Sequence, residues 1–197
     1  KGKMVDIPVY LLPFHEQKLL TYNIANGRFE VQYAELVRKE GHELDPRNES
    51  DSKKIQQMLY KISKKETDEL YDSLKDYGQE RNSICTNDGR VINGNRRMAI
   101  LQKLVDDIPT RKDFGFMKVG ILPSDIDETD LWKIEAGIQM SRRVQLDYSP
   151  MNTLLKFKSG LDKNISAKEI AASLYGSFTE QEILGELKIL QQITRYT

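Results

Sequence analysis

The hydrophobic pattern changes its period at Gly94, and this change constrains the fold more than any other feature of the chain. The residues from Arg90 to Asn93 follow the pattern of a short strand. After Gly94, apolar residues recur at the spacing of one helical face: Met98, Leu101, Leu104 and Val105. The sequence therefore predicts a strand that turns at Gly94 into a helix running to about Asp107.

Further strands are predicted on both sides of this turn. The residues from Ser83 to Thr86 form a strand pattern, and the tight-turn sequence Asn87-Asp88-Gly89 joins them to the next strand. Met117 to Leu122 is another strand candidate. Near the amino terminus, apolar residues alternate around Pro8, which is typical of an edge strand: Val5, Ile7, Val9 and Leu11.

Three helices are predicted before the hairpin, and the first covers 30–39. The second begins at a cap formed by Ser50 or Asp51 and carries one apolar face: Ile55, Met58, Leu59 and Ile62. The third opens with the capping-box sequence Ser63-Lys64-Lys65-Glu66 and stops at Gly78. Its predicted apolar face comprises Leu70, Leu74 and Tyr77.

Helices dominate the rest of the sequence. One is capped by Asp127 or Thr129, and its predicted inward face comprises Leu131, Ile134 and Ile138. From Asp147 onward no strand pattern remains, and helices are predicted over 151–161, 166–175 and 179–192.

The order of elements predicts an α+β core over 1–145, followed by a three-helix domain over 146–197. The predicted boundary falls near 142–149. The sequence ends within a helical pattern, so we expect the helical domain to be truncated and the chain to be a fragment of a longer protein.

The composition excludes several classes of function. Basic and acidic residues number 30 each, so a strongly basic nucleic-acid-binding protein is not indicated, and any such contact must come from a local patch. A single cysteine, Cys85, allows no internal disulfide and no paired thiolate metal site. No apolar run is long enough to span a membrane, and we expect a cytoplasmic protein without a membrane partner.

The turn at Gly94 has the chemical features of a phosphate site. The first turn of a helix carries unpaired backbone N–H groups and the positive end of the helix dipole. Glycine lets a ligand approach the backbone closely, and Asn95 can donate and accept. Arg96 and Arg97 add guanidinium groups, which match phosphate oxygens in a bidentate manner. The ordinary alternative is that Gly94-Asn95 is a turn and cap and that both arginines are solvated.

The sequence VINGNRRMAILQKL, which contains this turn, resembles the motif of the ParB/sulfiredoxin superfamily, in which a strand ends in Gly-x-Arg-Arg and a helix follows. The preceding sequence LYDSLKDYGQERNSICTNDGR is similar to the family's helix, glycine-containing loop, strand and hairpin. YNIANGRF resembles the family's early Asn-x-x-Arg loop. The sequence after Asp147 is similar to the helical domain of ParB-type proteins. The resemblance implies a ParB/sulfiredoxin-like mixed-sheet core and a helix-turn-helix-like carboxy-terminal domain.

This resemblance implies a nucleotide-binding protein that acts on or near DNA in bacterial partition, a mobile element or a defence system. ParB-type members bind CTP, so the expected ligand is CTP or another nucleoside triphosphate, with Mg²⁺ as a candidate metal. Expected partners are DNA, through other regions, and a second copy of the chain. The implied nucleotide- and phosphate-binding residues are Gly94, Asn95, Arg96, Arg97, Arg28 and Gln79. Glu135 and Gln139 are candidates for a metal or nucleotide contact, although Glu135 also fits an exposed helix carboxylate.

The sequence departs from the family at Asn95. Sulfiredoxins carry a cysteine at this position, so sulfiredoxin chemistry is not expected here. ParB-type proteins carry a glutamate at the same position, and their later Glu-Asn-x-Gln-Arg motif is at best partly matched, by Gln139. We therefore expect nucleotide binding to persist where hydrolysis does not. Cys85 lies in a predicted strand and is expected to be a small buried hydrophobic residue.

Two other functions remain open. A metal-dependent nuclease or a small-molecule kinase on the same core would need carboxylates close to Arg96 and Arg97. The candidates are Asp88, Asp125, Asp127 and Glu135. An interaction scaffold with a vestigial pocket would need neither a nucleotide nor a metal.

The segment 166–190 has helix-turn-helix proportions, with a predicted core of Ile170, Leu174, Ile183, Leu187 and Leu190. Its second helix carries Glu180, Glu182 and Glu186 against Lys188. DNA is a dense polyanion and would repel this helix. We therefore expect packing, dimerisation or a linking role from this segment rather than direct DNA reading.

Overall fold

The computed structural model describes residues 6–14, 19–25, 27–140 and 150–193. The chain divides into two compact units. The first comprises Lys1–Ile24 and Gln32–Ser124, and the second comprises Ala25–Val31 and Asp125–Thr197. The predicted boundary at 142–149 and the strand residue Val5 lie outside the described residues.

The first unit contains a five-stranded mixed sheet, which confirms the predicted α+β class. Its strands are β1 (Val9–Pro13), β2 (Thr21–Tyr22), β3 (Ser83–Cys85), β4 (Arg90–Asn93) and β5 (Phe116–Ile121). They lie in the order β1-β5-β3-β4-β2. The pairs β1–β5 and β3–β4 are antiparallel, and β3–β5 and β4–β2 are parallel. β1 lies at the edge of the sheet, as the proline before it predicted.

The predicted hairpin is confirmed. β3 and β4 pair with Ile84 opposite Asn93 and Cys85 opposite Val91. The backbone N–H of Thr86 donates to the carbonyl of Arg90 at 2.9 Å and closes the turn. The hairpin therefore delivers the chain to Gly94 at the end of a central strand.

The helices of this part of the chain are α1 (Glu30–Glu40), α2 (Glu49–Lys61), α3 (Lys64–Tyr77) and α4 (Asn95–Asp107). α4 packs against both α2 and α3. It buries Met98, Leu101 and Leu104, as its apolar spacing predicted, while Val105 stays half-buried.

Two predicted helix caps are wrong. Asn48, not Ser50 or Asp51, caps α2, because its Oδ1 accepts from the backbone N–H groups of those two residues at 2.9 and 3.2 Å. Ser63 makes no side-chain cap bond and has a left-handed φ of 49°, so the predicted capping box is absent. The predicted apolar face of α3 also fails at Tyr77, which is 76% exposed.

The described part of the second unit contains helices α5 (Glu128–Met140), α6 (Pro150–Asp162), α7 (Ala167–Ser173) and α8 (Glu180–Ile193), with a short 3-10 turn at Gly27–Phe29. All five predicted core residues of the helical segment are buried. Trp132, Ala136 and Met140 of α5 lie in the same apolar cluster. This shared core explains why α5 belongs to the helical unit and not to the predicted core over 1–145.

The inward face of α5 is broader and more polar than predicted. Leu131 is buried, but Ile134 and Ile138 are only half-buried. Glu135 and Gln139 are buried. Asp127 caps this helix, since its Oδ1 accepts from the Asp130 backbone N–H at 2.7 Å. None of the helices in the described part of the chain combines the length and apolar character needed to cross a bilayer.

Candidate functional site

Gly94 forms the turn between β4 and α4 and is tightly packed. Its φ is +112°, in the region that favours glycine. A Cβ at this position would lie 2.2 Å from Ser83 Oγ and 3.0 Å from Met117 Cε. The sequence suggested that glycine admits a ligand here. The structure gives a different reason, which is close packing of the turn against β3 and β5.

Asn95 opens α4 and is only 4% exposed. Its Oδ1 accepts from the Asn23 backbone N–H at 2.9 Å, and its Nδ2 donates to the Val91 carbonyl at 2.8 Å. The side chain thus joins the end of β2, strand β4 and helix α4. Because these bonds engage both ends of the amide, we assign the side chain a structural role.

The neighbouring Asn23 carries a buried polar atom without a partner. Asn23 is 2% exposed, and its Oδ1 has no hydrogen-bond partner among the described residues. A buried carbonyl oxygen without a donor costs about 1–3 kcal/mol.

Arg96 and Arg97 have different partners. Arg96 Nη1 lies 3.0 Å from Glu66 Oε2 on α3 in an ion pair. Arg97 Nη1 instead donates to Ser83 Oγ on β3 at 2.8 Å. The two guanidinium groups therefore do not act as one clamp, and Arg96 is already neutralised by a carboxylate.

Arg97 is half-buried and lacks a carboxylate partner at ion-pair distance within the described ranges. Burial, with a smaller contribution from the nearby charge of Arg81, lowers the pKa of Arg97 below its ordinary value. The guanidinium is nonetheless charged at neutral pH, since arginine titrates far above that range. This arrangement leaves a poorly solvated positive charge beside the first turn of α4.

Gln79 lies after α3 and organises the loop that leads to β3. Its Nε2 donates to the Lys118 carbonyl at 2.7 Å, and its Oε1 accepts from the Lys118 backbone N–H at 2.7 Å. Nε2 also lies 2.9 Å from the Arg81 carbonyl. The amide thus extends the ladder of β5 and fixes the loop. We therefore assign the Gln79 side chain to structure rather than to direct ligand contact.

Arg28, Glu135 and Gln139 belong to the second unit. The Arg28 carbonyl accepts from Asn152 Nδ2 at 2.7 Å. Glu135 Oε2 lies 3.0 Å from Lys156 Nζ, and these side chains are only 7% and 3% exposed. Glu135 Oε1 also accepts from the Gly27 backbone N–H at 3.3 Å. Glu135 is therefore a buried, paired carboxylate and not the exposed one that the sequence also allowed.

The carboxylates considered for a nuclease or kinase have other neighbours. Asp88 accepts from the Thr86 hydroxyl and lies 3.6 Å from Arg47. Asp127 caps α5, Glu135 pairs with Lys156, and Asp125 is exposed. Across the residues that the structure describes, no group of three or more His, Cys, Asp or Glu side chains is arranged to hold a metal ion.

Cys85 is the buried small residue that its strand pattern predicted. It is 1% exposed and unpaired. Burial, with a smaller contribution from the negative charge of Asp88, raises the pKa of its thiol to about 11. A thiol in this state is a poor nucleophile at neutral pH.

Ser83, Arg81 and Lys118 were not recognised from the sequence. Ser83 lies in a three-residue strand, and Lys118 is an ordinary exposed strand residue by pattern. Arg81 follows Gly78 in a polar loop, where a charged residue is unremarkable. Only the pairing of β3 with β4 and β5 brings Ser83 to Arg97 and places Lys118 beside Gln79.

Comparison with known proteins does not identify a relative. No family model, no curated protein and no solved structure matches this chain. The function therefore has to be inferred from the residues themselves.

Proposed function

We propose that this chain is a ParB-like nucleotide-binding protein that holds the phosphates of CTP or another nucleoside triphosphate at the first turn of α4. The observation that carries this proposal is the half-buried charge of Arg97, which has no carboxylate at ion-pair distance among the described residues. Its guanidinium is half-buried, and the side-chain partner it contacts in the described part of the chain is the neutral Ser83 hydroxyl. A poorly solvated cation without a counter-ion is costly, and a phosphate would supply the missing negative charge.

The backbone at the start of α4 supports the same ligand. Gly94 is the amino-terminal cap residue and offers no side chain to the N–H groups of the first turn. Those N–H groups and the helix dipole favour an anion.

The proposed site is smaller than the sequence motif. It comprises the backbone of the first turn of α4 and the Arg97 side chain. The side chains of Asn95 and Gln79 support this turn and its neighbouring loop through internal hydrogen bonds. Arg96 is left out because Glu66 already neutralises it.

The wider role on or near DNA, in partition, a mobile element or defence, is proposed from the family resemblance alone. We assign no DNA contact to α8, which carries Glu180, Glu182 and Glu186. Sulfiredoxin activity is not proposed, because Asn95 replaces the motif cysteine and Cys85 is buried. Hydrolysis is not assigned to any residue.

Isothermal titration with CTP, ATP and GTP, each with and without Mg²⁺, tests the proposal. We expect at least one of them to bind, and Arg97→Gln to weaken it by roughly tenfold or more, since a charge-assisted hydrogen bond contributes about 1.5–3 kcal/mol. Arg111→Gln is the matched control, because Arg111 is an exposed arginine that already pairs with Asp113 at 2.7 Å.

Circular dichroism and thermal unfolding of both variants show whether each is folded. Arg97→Lys retains the charge while losing the planar fork, and we expect it to bind with intermediate affinity. Failure of the folded wild-type chain to bind any of the three nucleotides at millimolar concentration would refute the proposal. So would equal binding by wild type and folded Arg97→Gln.

A further inference from the structure

We propose that the β1 edge of the sheet is an interface at which two copies of this chain pair with each other, strand β1 against strand β1, in antiparallel register. The β1 edge is the side of Val9–Pro13 that faces away from β5. In the sheet, β5 and β3 separate this strand from β4, which leads into the proposed phosphate site. The interface is therefore independent of nucleotide binding.

The backbone of β1 has free hydrogen-bonding groups along this edge. The pairing with β5 is regular, and the Phe14 N–H donates to the Gly115 carbonyl at 3.0 Å, so the even-numbered residues direct their backbone groups towards β5. Because consecutive residues of a strand direct these groups to opposite sides, Val9 and Leu11 direct their N–H and carbonyl groups away from β5. Pro13, which has no N–H, lies at the end of the strand and leaves those groups in place. Within the described ranges no strand pairs with this side of β1.

The other edge of the sheet is protected, whereas the β1 edge is not. Strand β2 is two residues long, and Thr21 and Tyr22 are both buried. Strand β1 is five residues long and has no bulge, and Val9, Tyr10 and Leu11 are 48%, 49% and 60% exposed. Proteins protect a free edge with short strands, charged side chains or bulges, since an unprotected edge is a template for another strand. We therefore expect the β1 edge to be covered by a strand.

The charge and symmetry of β1 favour a second copy of the chain as that strand. None of the residues 7–14 is charged, so the edge has no charge with which to select an acidic or a basic segment. A two-fold axis at Tyr10, the middle of the exposed residues, places Val9 of one copy opposite Leu11 of the other. Each of these pairs exchanges both of its backbone hydrogen bonds, because all the groups involved face the axis.

The side chains also fit this arrangement. Tyr10 of one copy lies opposite Tyr10 of the other at a Cα separation of about 4.5 Å, which is the close pair of an antiparallel ladder. Aromatic cross-strand pairs of this kind stabilise a sheet. On the other face, Lys118 lies opposite Leu11, and the row continues across the axis to Val9 and Gly120 of the second copy, so like charges do not meet. A single strand pair buries less than the ~1,600 Å² of a standard interface, and we expect weak, concentration-dependent association.

Sedimentation velocity of the full chain from micromolar to millimolar concentration tests the interface. The wild type should be a mixture of monomer and dimer in which the dimer fraction rises with concentration. Tyr10→Lys should raise the dissociation constant of the dimer by roughly tenfold or more, because it places two like charges opposite each other across the axis. Tyr77→Lys is the matched control, since Tyr77 is an exposed tyrosine on α3, and it should dimerise as the wild type does.

Disulfide trapping tests the register. Tyr10→Cys should form an intermolecular disulfide under mild oxidation, because the expected Cα separation lies within the range of about 4.4–6.8 Å that a disulfide spans. Tyr77→Cys is the control and should remain largely monomeric at the same protein concentration. The native Cys85 is buried and does not compete. Disulfide formation by Tyr10→Cys that is no faster than that by Tyr77→Cys would contradict the pairing.

A wild-type chain that stays monomeric at millimolar concentration would overturn the interface, and so would equal dimerisation by the wild type and folded Tyr10→Lys. If Tyr10→Lys does not fold, Leu11→Lys decides in its place, because the Leu11 side chain is more exposed. Hydrogen exchange of the wild type gives an independent measurement: the Val9 and Leu11 amides should become protected only as the dimer forms. Protection of these amides in the monomer would show instead that another part of the same chain covers the edge.

Discussion

The close contacts of Gly94 and Asn95 show that these two residues stabilise the turn before α4. The sequence motif presents both as ligand-binding residues, yet the space beside the Gly94 Cα is filled by Ser83 and Met117. The Asn95 amide is engaged on both of its ends. Gly94 and Asn95 therefore stabilise the turn that positions Arg97, and they contribute to binding only indirectly.

Gly94→Ala should destabilise the chain by roughly 3 kcal/mol or more. The new Cβ would meet Ser83 Oγ at 2.2 Å, and alanine is strained at a φ of +112°. Gly41→Ala is the matched control: its φ is +78°, but no atom lies within 4 Å of the point that its new Cβ would occupy, so only the backbone strain of about 1–2 kcal/mol is expected. Urea unfolding of the two variants measures the difference, and equal losses would contradict the packing explanation.

Cys85 should react slowly with iodoacetamide in the native protein at pH 8. Burial raises the pKa of its thiol to about 11, so the reactive thiolate is scarce at that pH, and the sulfur is covered. Mass spectrometry should show fast labelling only after denaturant is added. The thiol becomes more reactive as the pH rises towards 11. Rapid native labelling at pH 8 would show that the strand around Cys85 opens readily.

Helix α2 depends on its first turn, because Asn48 satisfies two backbone N–H groups that would otherwise lack intrahelical acceptors. The helix packs on α4, so its stability supports the surface that carries Arg97. The next helix, α3, begins without such a bond at Ser63. It is linked to α4 by the ion pair between Glu66 and Arg96.

Asn48→Ala should therefore lower the free energy of unfolding by about 1 kcal/mol. Ser63→Ala should have a much smaller effect on hydrogen bonding, because the Ser63 side chain makes no cap bond. Thermal unfolding followed by circular dichroism compares the two. If Ser63→Ala lowers the free energy of unfolding more than Asn48→Ala does, the capping box that the sequence predicted at Ser63 would be supported instead.

At the scale of the whole molecule, each unit has a core of its own kind. The first has a mixed sheet with α4 packed by α2 and α3. The second is helical and includes a buried ion pair between Lys156 and Glu135. Lys156 Nζ also lies 5.2 Å from the centre of the Trp132 ring. A buried pair of this kind is costly to break, because removing one partner leaves an uncompensated charge.

Lys156→Met should destabilise the second unit by roughly 3–5 kcal/mol, and the double change Glu135→Gln with Lys156→Met should recover a large part of that loss. Lys158→Met is the control, since Lys158 forms an exposed pair with Asp162 and its loss should cost less than about 1 kcal/mol. The fluorescence of Trp132, the single tryptophan of the chain, reports unfolding of this unit. No difference between Lys156→Met and Lys158→Met would contradict the prediction.

Local sequence determined the elements of this protein, and tertiary structure decided what their polar residues do. The strand-to-helix turn at Gly94, the hairpin before it and the later helices follow from apolar period and turn residues, which act over short stretches of chain. Local sequence does not show which of the two arginines pairs with a carboxylate. Arg96 contacts Glu66 and Arg97 contacts Ser83 because helix packing and strand pairing bring distant segments of the chain together. The same physical reason placed α5 in the helical unit, since its Trp132 and Ala136 are buried by helices that come later in the chain.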